Sequence, residues 1–559
     1  MFKKSPKNCF KPVLPSSISN ASSFITGGDG CTVAETETDL HKINNGPILS
    51  YFNHFLLPQI DVILGPSGEY IPLDLNVMCN ANNNDVYVSS SIYAHLCDIK
   101  HQIEQYQDTW DNIKKFTNPY EYIHSNITVN KTNISKLRPL SRSFYKMIEI
   151  IKNNNLLAQY NHTLVHRPDS KMGIQTFHLA EGPGGFIEAI SYLRGLDYQR
   201  ARVNTETETE PSFEISPIQI LKRNTEFHVE YMKEQEYLKV SRRIFECQKD
   251  SSSSSSNINS TAVYANDRYY GMTLVNDDPI CPGWKKTRAF LDTHPNVIIE
   301  NGADKTGNLI SVENYRYCAA KYKNKMDIVT ADGGFDFSVD FNHQESMATQ
   351  LILCEVFYAL AIQKCGGTFI LKIFDVFHKT TVDILYILSY YYKNVSIMKP
   401  YTSRVANSEK YVVCQGFKIK DSTLIIDQFV GMFPLIQFEN GSGSMLSSLL
   451  PFNHDLYFLN KIEEMNAMVS FQQIENITST LSIITNHRNA EKLEQYKRAN
   501  VNKCIAWCEK YDIPYHLHHA SFQSTNIFLH KSITAASSAS SASSASSASS
   551  ASAAAVYNQ

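Results

Sequence analysis

The sequence predicts a doubly wound α/β fold built on a mostly parallel sheet. A short apolar run breaks at a glycine-rich turn and resumes as an amphipathic helix in FHLAEGPGGFIEAISYLRG (177–195). Strand-like segments then alternate with helical patterns, which is typical of parallel strands joined by crossover helices. The last two strand patterns, at 395–400 and 408–417, have no helical pattern between them and predict an antiparallel hairpin at the edge of the sheet.

The composition indicates a globular protein of several domains. The chain has 559 residues, 43% of them hydrophobic and 19% charged, which gives room for about three or four domains. The net charge of −3 means that any nucleic-acid binding depends on a local basic patch. Twelve cysteines are scattered without a CxxC pair, so we expect reduced thiols in an intracellular protein and no zinc site.

Changes in composition divide the chain into five segments. The predicted segments are a disordered tail (1–40), an N-terminal extension (41–130), the α/β core (131–425) with a low-complexity insertion (about 197–262), a helical C-terminal region (426–530) and a disordered Ala/Ser tail (531–559). The longest apolar stretch, 349–374, is broken by charges and glycines. We expect it to form a buried helix followed by a strand and not a membrane span.

The glycine turn is the first candidate binding site. Its glycines let the backbone approach a ligand closely, and the helix that follows points its first amide groups at that ligand. Glu181 before the turn repels phosphates but suits an ammonium group or a ribose, which favours a nucleoside with a cationic tail. Taken alone, the turn is equally compatible with an ordinary strand-to-helix connection. The third glycine of the dinucleotide fingerprint is missing, which disfavours a hydride-transferring enzyme.

Four ionisable residues interrupt apolar patterns or stand at strand ends. Lys146 lies on the helix before the first core strand, and Asp332 ends MDIVTAD. Lys372 interrupts FILKIF, and Glu409 begins EKYVVC. A lysine inside a buried strand is costly unless it is paired. The alternatives are a solvated helix residue for Lys146, a helix cap for Asp332 and a simple ion-pair partner for Glu409. If the four converge, a lysine beside another ammonium group has a lowered pKa and can accept a proton from a hydroxyl group.

Several motifs together resemble one family, the FtsJ/RrmJ-like S-adenosylmethionine-dependent RNA ribose 2′-O-methyltransferases, and within it the mRNA cap enzymes of Adrift-like and large-DNA-virus type. The matching segments, in family order, are SRSFYKMIEI (141–150), LAEGPGGFIEA (179–189), GMTL (271–274), GADKTGNLI (302–310), TADGGF (330–335), GGTFILKIFD (366–375) and KPYTSRVANSEKYVVCQGF (399–417). The resemblance implies a Rossmann-like class I methyltransferase with a mostly parallel seven-stranded sheet, an antiparallel edge strand and helical flanks.

The same resemblance implies the roles of individual residues. Lys146, Asp332, Lys372 and Glu409 correspond to the family's catalytic tetrad, in which the counterpart of Lys372 activates the 2′-hydroxyl and no metal is needed. Cofactor contacts carry over to Glu181, Gly182, Pro183, Gly184, Gly185, Phe186 and Asp332, with Asp304 or Asn308 near the adenosine. Arg142, Ser403 and Arg404 are expected beside the RNA. A basic groove for the phosphates would draw on Lys131, Lys136, Arg138, Arg142, Lys399, Arg404 and Lys410, although a solvated face is the alternative for most of them.

The implied partners are S-adenosylmethionine, capped mRNA and other capping enzymes, without a membrane. The implied location is the nucleus for a cellular protein and the cytoplasm for a viral one. Two other functions stay open from the sequence. One is methylation of internal ribose in rRNA or tRNA, and the other is an inactive RNA-binding scaffold that keeps the fold. The intact set of four ionisable residues argues against the scaffold, because a scaffold has no need of a lysine inside a strand.

Overall fold

The computed structural model describes residues 54–66, 70–80, 85–127, 132–160, 173–207, 266–275, 283–334, 342–436, 445–486 and 490–516. Both predicted disordered tails lie outside these residues. So does the predicted low-complexity insertion from residue 208 to its end, whereas residues 197–207 continue a helix.

A single large sheet forms the centre of the described fold. Its strands are β1 (His54–Leu56), β3 (Gln175–Leu179), β4 (Arg268–Met272), β5 (Val297–Ile299), β6 (Met326–Ala331), β7 (Gln363–Ile373), β8 (Tyr392–Met398) and β9 (Lys410–Phe417), and a separate ribbon pairs β2 (Met78–Asn80) with β10 (Met445–Ser448). The order across the large sheet is β1-β8-β9-β7-β6-β3-β4-β5. Strands β5, β4, β3, β6 and β7 run parallel, while β9 is antiparallel to both of its neighbours. The predicted doubly wound fold is confirmed.

Two details of the predicted sheet are wrong. The sheet has eight strands and not seven, because β1 from the N-terminal extension pairs antiparallel with β8. The antiparallel strand β9 lies between β7 and β8 and not at the edge. In that place both edges of β9 have hydrogen-bond partners, because the connection 399–409 returns the chain antiparallel to β8 on the side that faces β7.

Helices cover both faces of the sheet. The helices are α1 (Ser90–His101), α2 (Gln107–Thr117), α3 (Ser143–Asn153), α4 (Gly185–Thr207), α5 (Arg288–Thr293), α6 (Val312–Tyr322), α7 (Gln344–Ile362), α8 (Lys379–Tyr391), α9 (Thr423–Ile436), α10 (Leu456–Thr485) and α11 (Ala490–Lys510). One face packs α3, α4 and α11 against residues such as Ile328, Ile370 and Val413. The other face packs α6 to α10 against the alternate residues, such as Val329 and Phe369. Burial on both faces explains the nearly continuous apolar runs of the central strands.

The apolar stretch 349–374 forms most of α7 and all of β7, which confirms the predicted helix followed by a strand. Helix α7 is long and apolar enough to cross a membrane, but most of it is buried inside the protein. It therefore serves as the central helix of one face of the sheet.

The two flanking regions pack on the core and on each other. Helix α2 of the N-terminal extension lies against α10 and α11 of the C-terminal region. The amide of Asn476 on α10 donates to the backbone oxygen of Thr117 at 2.9 Å. The amide of Asn500 on α11 donates to the backbone oxygen of Phe116 at 2.7 Å. Asn500 interrupts an apolar stripe in the sequence, and this buried hydrogen bond is the reason.

Candidate active site at the carboxyl edge of the sheet

The glycine turn leads from β3 into α4 at the carboxyl edge of the sheet. The backbone N–H of Gly184 donates to the oxygen of Glu181 at 2.6 Å and closes the turn. Gly184 has a φ of +102°, a conformation that side-chain-bearing residues rarely adopt. A Cβ on Gly185 would lie 2.2 Å from Ser141 Oγ, so glycine is required for the close approach of α3. The turn thus presents bare backbone and the first amides of a long helix, which suits a polar nucleoside ligand.

Glu181 lies beneath this turn and is 4% exposed. Its Oε1 accepts a hydrogen bond from the hydroxyl of Thr330, and its Oε2 lies 3.2 Å from Nδ1 of His178. Burial raises the pKa of the Glu181 carboxyl, and His178 opposes this shift. His178 of β3, Thr330 of β6 and Glu181 therefore form a connected group of buried polar side chains next to the turn.

The four predicted catalytic residues come together beside the turn. Nζ of Lys146 on α3 lies 2.7 Å from Glu409 Oε1, and Nζ of Lys372 on β7 lies 3.2 Å from Asp332 Oδ1. The Lys372 Nζ also donates to the backbone oxygen of Asp332 at 2.7 Å. Lys146 is only 7% exposed, so its alternative as a solvated helix residue is wrong. Four separate elements thus bring two ion pairs to one edge of the sheet.

Tyr411 joins the two ion pairs and was missed in the sequence. Its hydroxyl donates to Asp332 Oδ1 at 2.8 Å and lies 3.5 Å from Nζ of Lys146. The ring is fully buried and packs against Phe186. A tyrosine in an apolar strand is usually a core residue, and its position two residues after Glu409 was the available signal, because alternate residues of a strand share a face.

The charges in this cluster follow from burial and pairing. Burial lowers the pKa of Lys146, partly offset by Glu409. Burial also acts to lower the pKa of Lys372, but the carboxylates of Asp332 and Glu409 outweigh it, and the net pKa of Lys372 is raised. For Glu409, Lys146 and Lys372 outweigh burial, so its pKa is lowered. The resting cluster therefore holds Glu409 as a carboxylate and Lys372 as an ammonium group.

A fifth ionisable group, the carboxyl group of Glu355 on α7, approaches the cluster from the opposite face of the sheet. It is fully buried, and its oxygens make no hydrogen bond of good geometry with the described residues, although the backbone of Gly333 lies close. A Cβ on Gly333, directly after Asp332, would lie 2.2 Å from Glu355 Oε1. Burial raises the pKa of Glu355 well above its usual value, against the attraction of Lys372. In the sequence, the signal was a carboxylate interrupting an apolar helix.

The predicted adenosine contacts lie in the loop between β5 and α6. Asp304 is exposed, and its Oδ1 accepts hydrogen bonds from the backbone N–H of Thr306 at 2.8 Å and from Asn314 Nδ2 at 2.9 Å. The Asn308 side chain accepts from the backbone N–H of Ile310 at 3.0 Å. Both side chains therefore shape their own loop, and their contact with an adenosine stays a prediction.

The predicted RNA contacts lie in and beside the loop from Lys399 to Glu409, called here the 399–409 loop. Ser403 is buried and donates to Glu409 Oε1 at 2.9 Å. Arg404 pairs with the fully buried Glu121 of the N-terminal extension at 2.8 Å. Arg142 Nη2 donates to the backbone oxygen of Thr402 at 2.8 Å. All three side chains thus make contacts within the protein, and their roles toward RNA stay predictions.

Part of the predicted basic groove is wrong. Lys399 and Lys410 are 8% and 2% exposed, because their ammonium groups bond to backbone oxygens of their own loop. Arg138 is exposed and Lys136 is half-buried, so both can face solvent. Lys131 lies outside the described residues.

The doubly wound sheet, with a bare glycine turn beside a paired lysine and carboxylate cluster, defines a Rossmann-like methyltransferase. Residues 139–417, about half of the chain, match the model of the FtsJ-like methyltransferase family. This part of the chain belongs to that family, and it lies inside the predicted core of 131–425.

Relatives of known name match within the same region. A cap-specific mRNA (nucleoside-2′-O-)-methyltransferase 1 from Dictyostelium discoideum is 34% identical over 185 residues, which cover 32% of this chain and 24% of the relative. The protein of the same name from Trypanosoma brucei brucei is 31% identical over 185 residues and is covered to 49%. The one from Homo sapiens is 39% identical over 125 residues, 22% of this chain and 15% of the relative. The chain thus spans less than half the length of each.

Proposed function

We propose that this protein transfers a methyl group from S-adenosylmethionine to the ribose 2′-hydroxyl of a cap-proximal nucleotide of mRNA. The observation that carries the proposal is the meeting of Lys146, Asp332, Lys372 and Glu409 beside the glycine turn. Similarity to three cap-specific enzymes supports the choice of substrate. Capped mRNA and other capping enzymes are the proposed partners, and the location would be the nucleus for a cellular protein or the cytoplasm for a viral one.

The residues of the turn fit the cofactor. The turn suits the cofactor through its backbone: Gly184 has a φ of +102°, which would strain a residue with a side chain, and the N-terminus of α4 favours a carboxylate or a ribose oxygen. Asp332 stands at the end of the neighbouring strand β6, within reach of a ligand on the turn. When bound, S-adenosylmethionine supplies an electrophilic methyl group.

The chain's own residues would position and deprotonate the hydroxyl. Lys372 orients the ribose oxygen through Nζ, while Asp332 fixes that ammonium group by two contacts. Lys146 and Glu409 hold the other side of the cluster. Because the carboxylates keep Lys372 protonated at rest, alignment supplies most of the rate, and help as a general base begins only when Lys372 loses its proton. The methyl-transfer step should therefore become faster as the pH rises through the alkaline range.

The first test compares methyl incorporation into capped and uncapped transcripts of one sequence. The proposal predicts incorporation into capped RNA at a 2′-oxygen near the 5′ end, located by mass spectrometry of nuclease fragments. Equal incorporation into uncapped RNA, or methylation at internal ribose, would favour the rRNA or tRNA alternative.

The second test replaces Lys372. Lys372→Ala should bind S-adenosylmethionine like the wild type but lose methyl incorporation, because the aligning group is gone. Cofactor binding without incorporation in both proteins would favour the inactive scaffold. Equal incorporation in both proteins would refute the assigned mechanism.

A further inference from the structure

The 399–409 loop carries Glu409 and two of the predicted RNA contacts, yet much of its support comes from residues outside the loop. The backbone N–H groups of Tyr401 and Thr402 each donate to the Glu149 carboxylate at 2.8 Å. On its other side, Gln473 of the C-terminal helix α10 donates to the backbone oxygen of Ala406 at 2.9 Å. The loop is therefore fixed from the core and from a flanking region at once.

The N-terminal extension contributes an ion pair to the support of the loop, between Glu121 and Arg404. Glu121 accepts two hydrogen bonds from Arg404, from Nε at 3.1 Å and from Nη2 at 2.8 Å. Glu121 is fully buried, and its remaining acceptor capacity is taken by Asn118 at 2.7 Å and Ser125 at 2.8 Å. A bidentate arginine–carboxylate pair at a buried position fixes both side chains in orientation as well as in distance.

The segment that carries Glu121 is itself held by the C-terminal region. Asn476 and Asn500 donate to the backbone oxygens of Thr117 and Phe116, just before Glu121. Removing a partner from such a buried contact leaves a backbone oxygen without its hydrogen bond. The C-terminal region therefore holds the segment that carries Glu121, and Glu121 in turn holds the guanidinium group of Arg404.

We propose that Glu121 is a positioning residue for the reaction, which holds the 399–409 loop through Arg404 so that Glu409 stays paired with Lys146. This inference rests on the proposed function and extends it, because it assigns a role in the reaction to regions outside the FtsJ-like domain. Glu121 itself does not touch the substrate in this proposal. Its effect passes along the loop from Arg404 to Glu409, five positions further on.

The test uses the full chain and four variants: Glu121→Gln, Arg404→Gln, their double variant and Asp512→Asn. Glu121→Gln keeps the size of the side chain but removes the charge. Asp512→Asn is the control, because it also removes one charge from an ion pair between a flank and the core, that of Asp512 with Lys152 at 3.0 Å. Methyl incorporation gives kcat and KM, and hydrogen exchange reports the opening of residues 400–409.

We expect Glu121→Gln to lower kcat at least tenfold and to speed amide exchange in the loop, with KM for S-adenosylmethionine unchanged. The double variant should be no worse than the worse single variant, because the two residues act as one unit. Asp512→Asn should match the wild type in both measurements. If Glu121→Gln does not fold, Arg404→Gln provides the same comparison from the other partner.

If Glu121→Gln folds and the amides of its 399–409 loop exchange as slowly as in the wild type, the inference is overturned, whatever happens to the activity. Fully additive losses in the double variant would overturn it as well. Hydrogen exchange also keeps the two proposals apart. If the wild type methylates no RNA, the proposed function fails, while faster loop exchange in Glu121→Gln would still demonstrate the positioning contact.

Discussion

Tyr411→Phe isolates one hydrogen bond inside the charged cluster. The change removes the hydroxyl that donates to Asp332 Oδ1 at 2.8 Å and keeps the buried ring, so it creates almost no cavity. A hydrogen bond to a charged group contributes about 1.5–3 kcal/mol. Asp332 then depends on Lys372 for its position, and the two ion pairs lose their link. At about 1.4 kcal/mol for each factor of ten, kcat should fall roughly 10- to 100-fold.

The assay is the initial rate of methyl incorporation over a range of RNA and cofactor concentrations, with thermal unfolding of each variant. Tyr145→Phe is a suitable control. Tyr145 is equally buried in the same apolar cluster, but its hydroxyl donates to the backbone oxygen of Leu137 at 3.0 Å. Tyr145→Phe should lose somewhat less stability, because its hydrogen bond is to an uncharged oxygen, and only Tyr411→Phe should lose kcat. A folded Tyr411→Phe with kcat within twofold of the wild type would refute the linking role.

Three further predictions concern groups around the site. Burial raises the pKa of Glu149 to about 7 from 4.5, so the folded state holds a proton that the unfolded state loses between these values. The contribution of this group to the free energy of unfolding therefore falls by roughly 3 kcal/mol as the pH rises from 4.5 to 7. Urea unfolding should show a smaller difference in this free energy between pH 5 and pH 8 for Glu149→Gln than for the wild type. Burial also raises the pKa of Glu355. Glu355→Gln should therefore have a higher free energy of unfolding than the wild type, and the difference should grow from pH 5 to pH 8. A difference that does not change with pH would contradict a buried ionisable carboxyl group. Gly184→Ala would force a φ of +102° on alanine, at a cost of about 1–3 kcal/mol. Calorimetry should therefore show weaker binding of S-adenosylmethionine. An unchanged affinity would show that the turn is not part of the cofactor site.

The parts of the fold that could be predicted are those with local signals. The turn at Gly184 joins an apolar strand pattern to a helical one, and Lys372 stands out because a lysine interrupts a buried strand. Asp332 follows the end of the parallel strand β6 and Glu409 precedes the start of the antiparallel strand β9, so both lie at the same edge of the sheet. Lys146 had a weak signal, because a helix lysine looks solvated until the 399–409 loop is known to cover it.

The parts that could not be predicted depend on contacts between distant segments. Strand β1 has three residues, too few for a periodic pattern, and its pairing with β8 depends on how the N-terminal extension packs. The pairing of Glu121 with Arg404 joins residues 283 positions apart. Glu355 points at the site from α7, on the opposite face of the sheet from Lys146. Hydrophobic periodicity identifies elements but does not say which polar side chains will meet between them.

The packing of α11 on the segment before Glu121 has a consequence for the order in which the chain reaches its final structure. Helix α11 is the last described helix to leave the ribosome, and until it docks, Phe116 and its neighbours lack their Asn500 contact. Until then, the support beneath Arg404 is incomplete. A fragment cut to residues 139–417 would lack this support altogether, and it would also lose α9 and α10 from one face of the sheet.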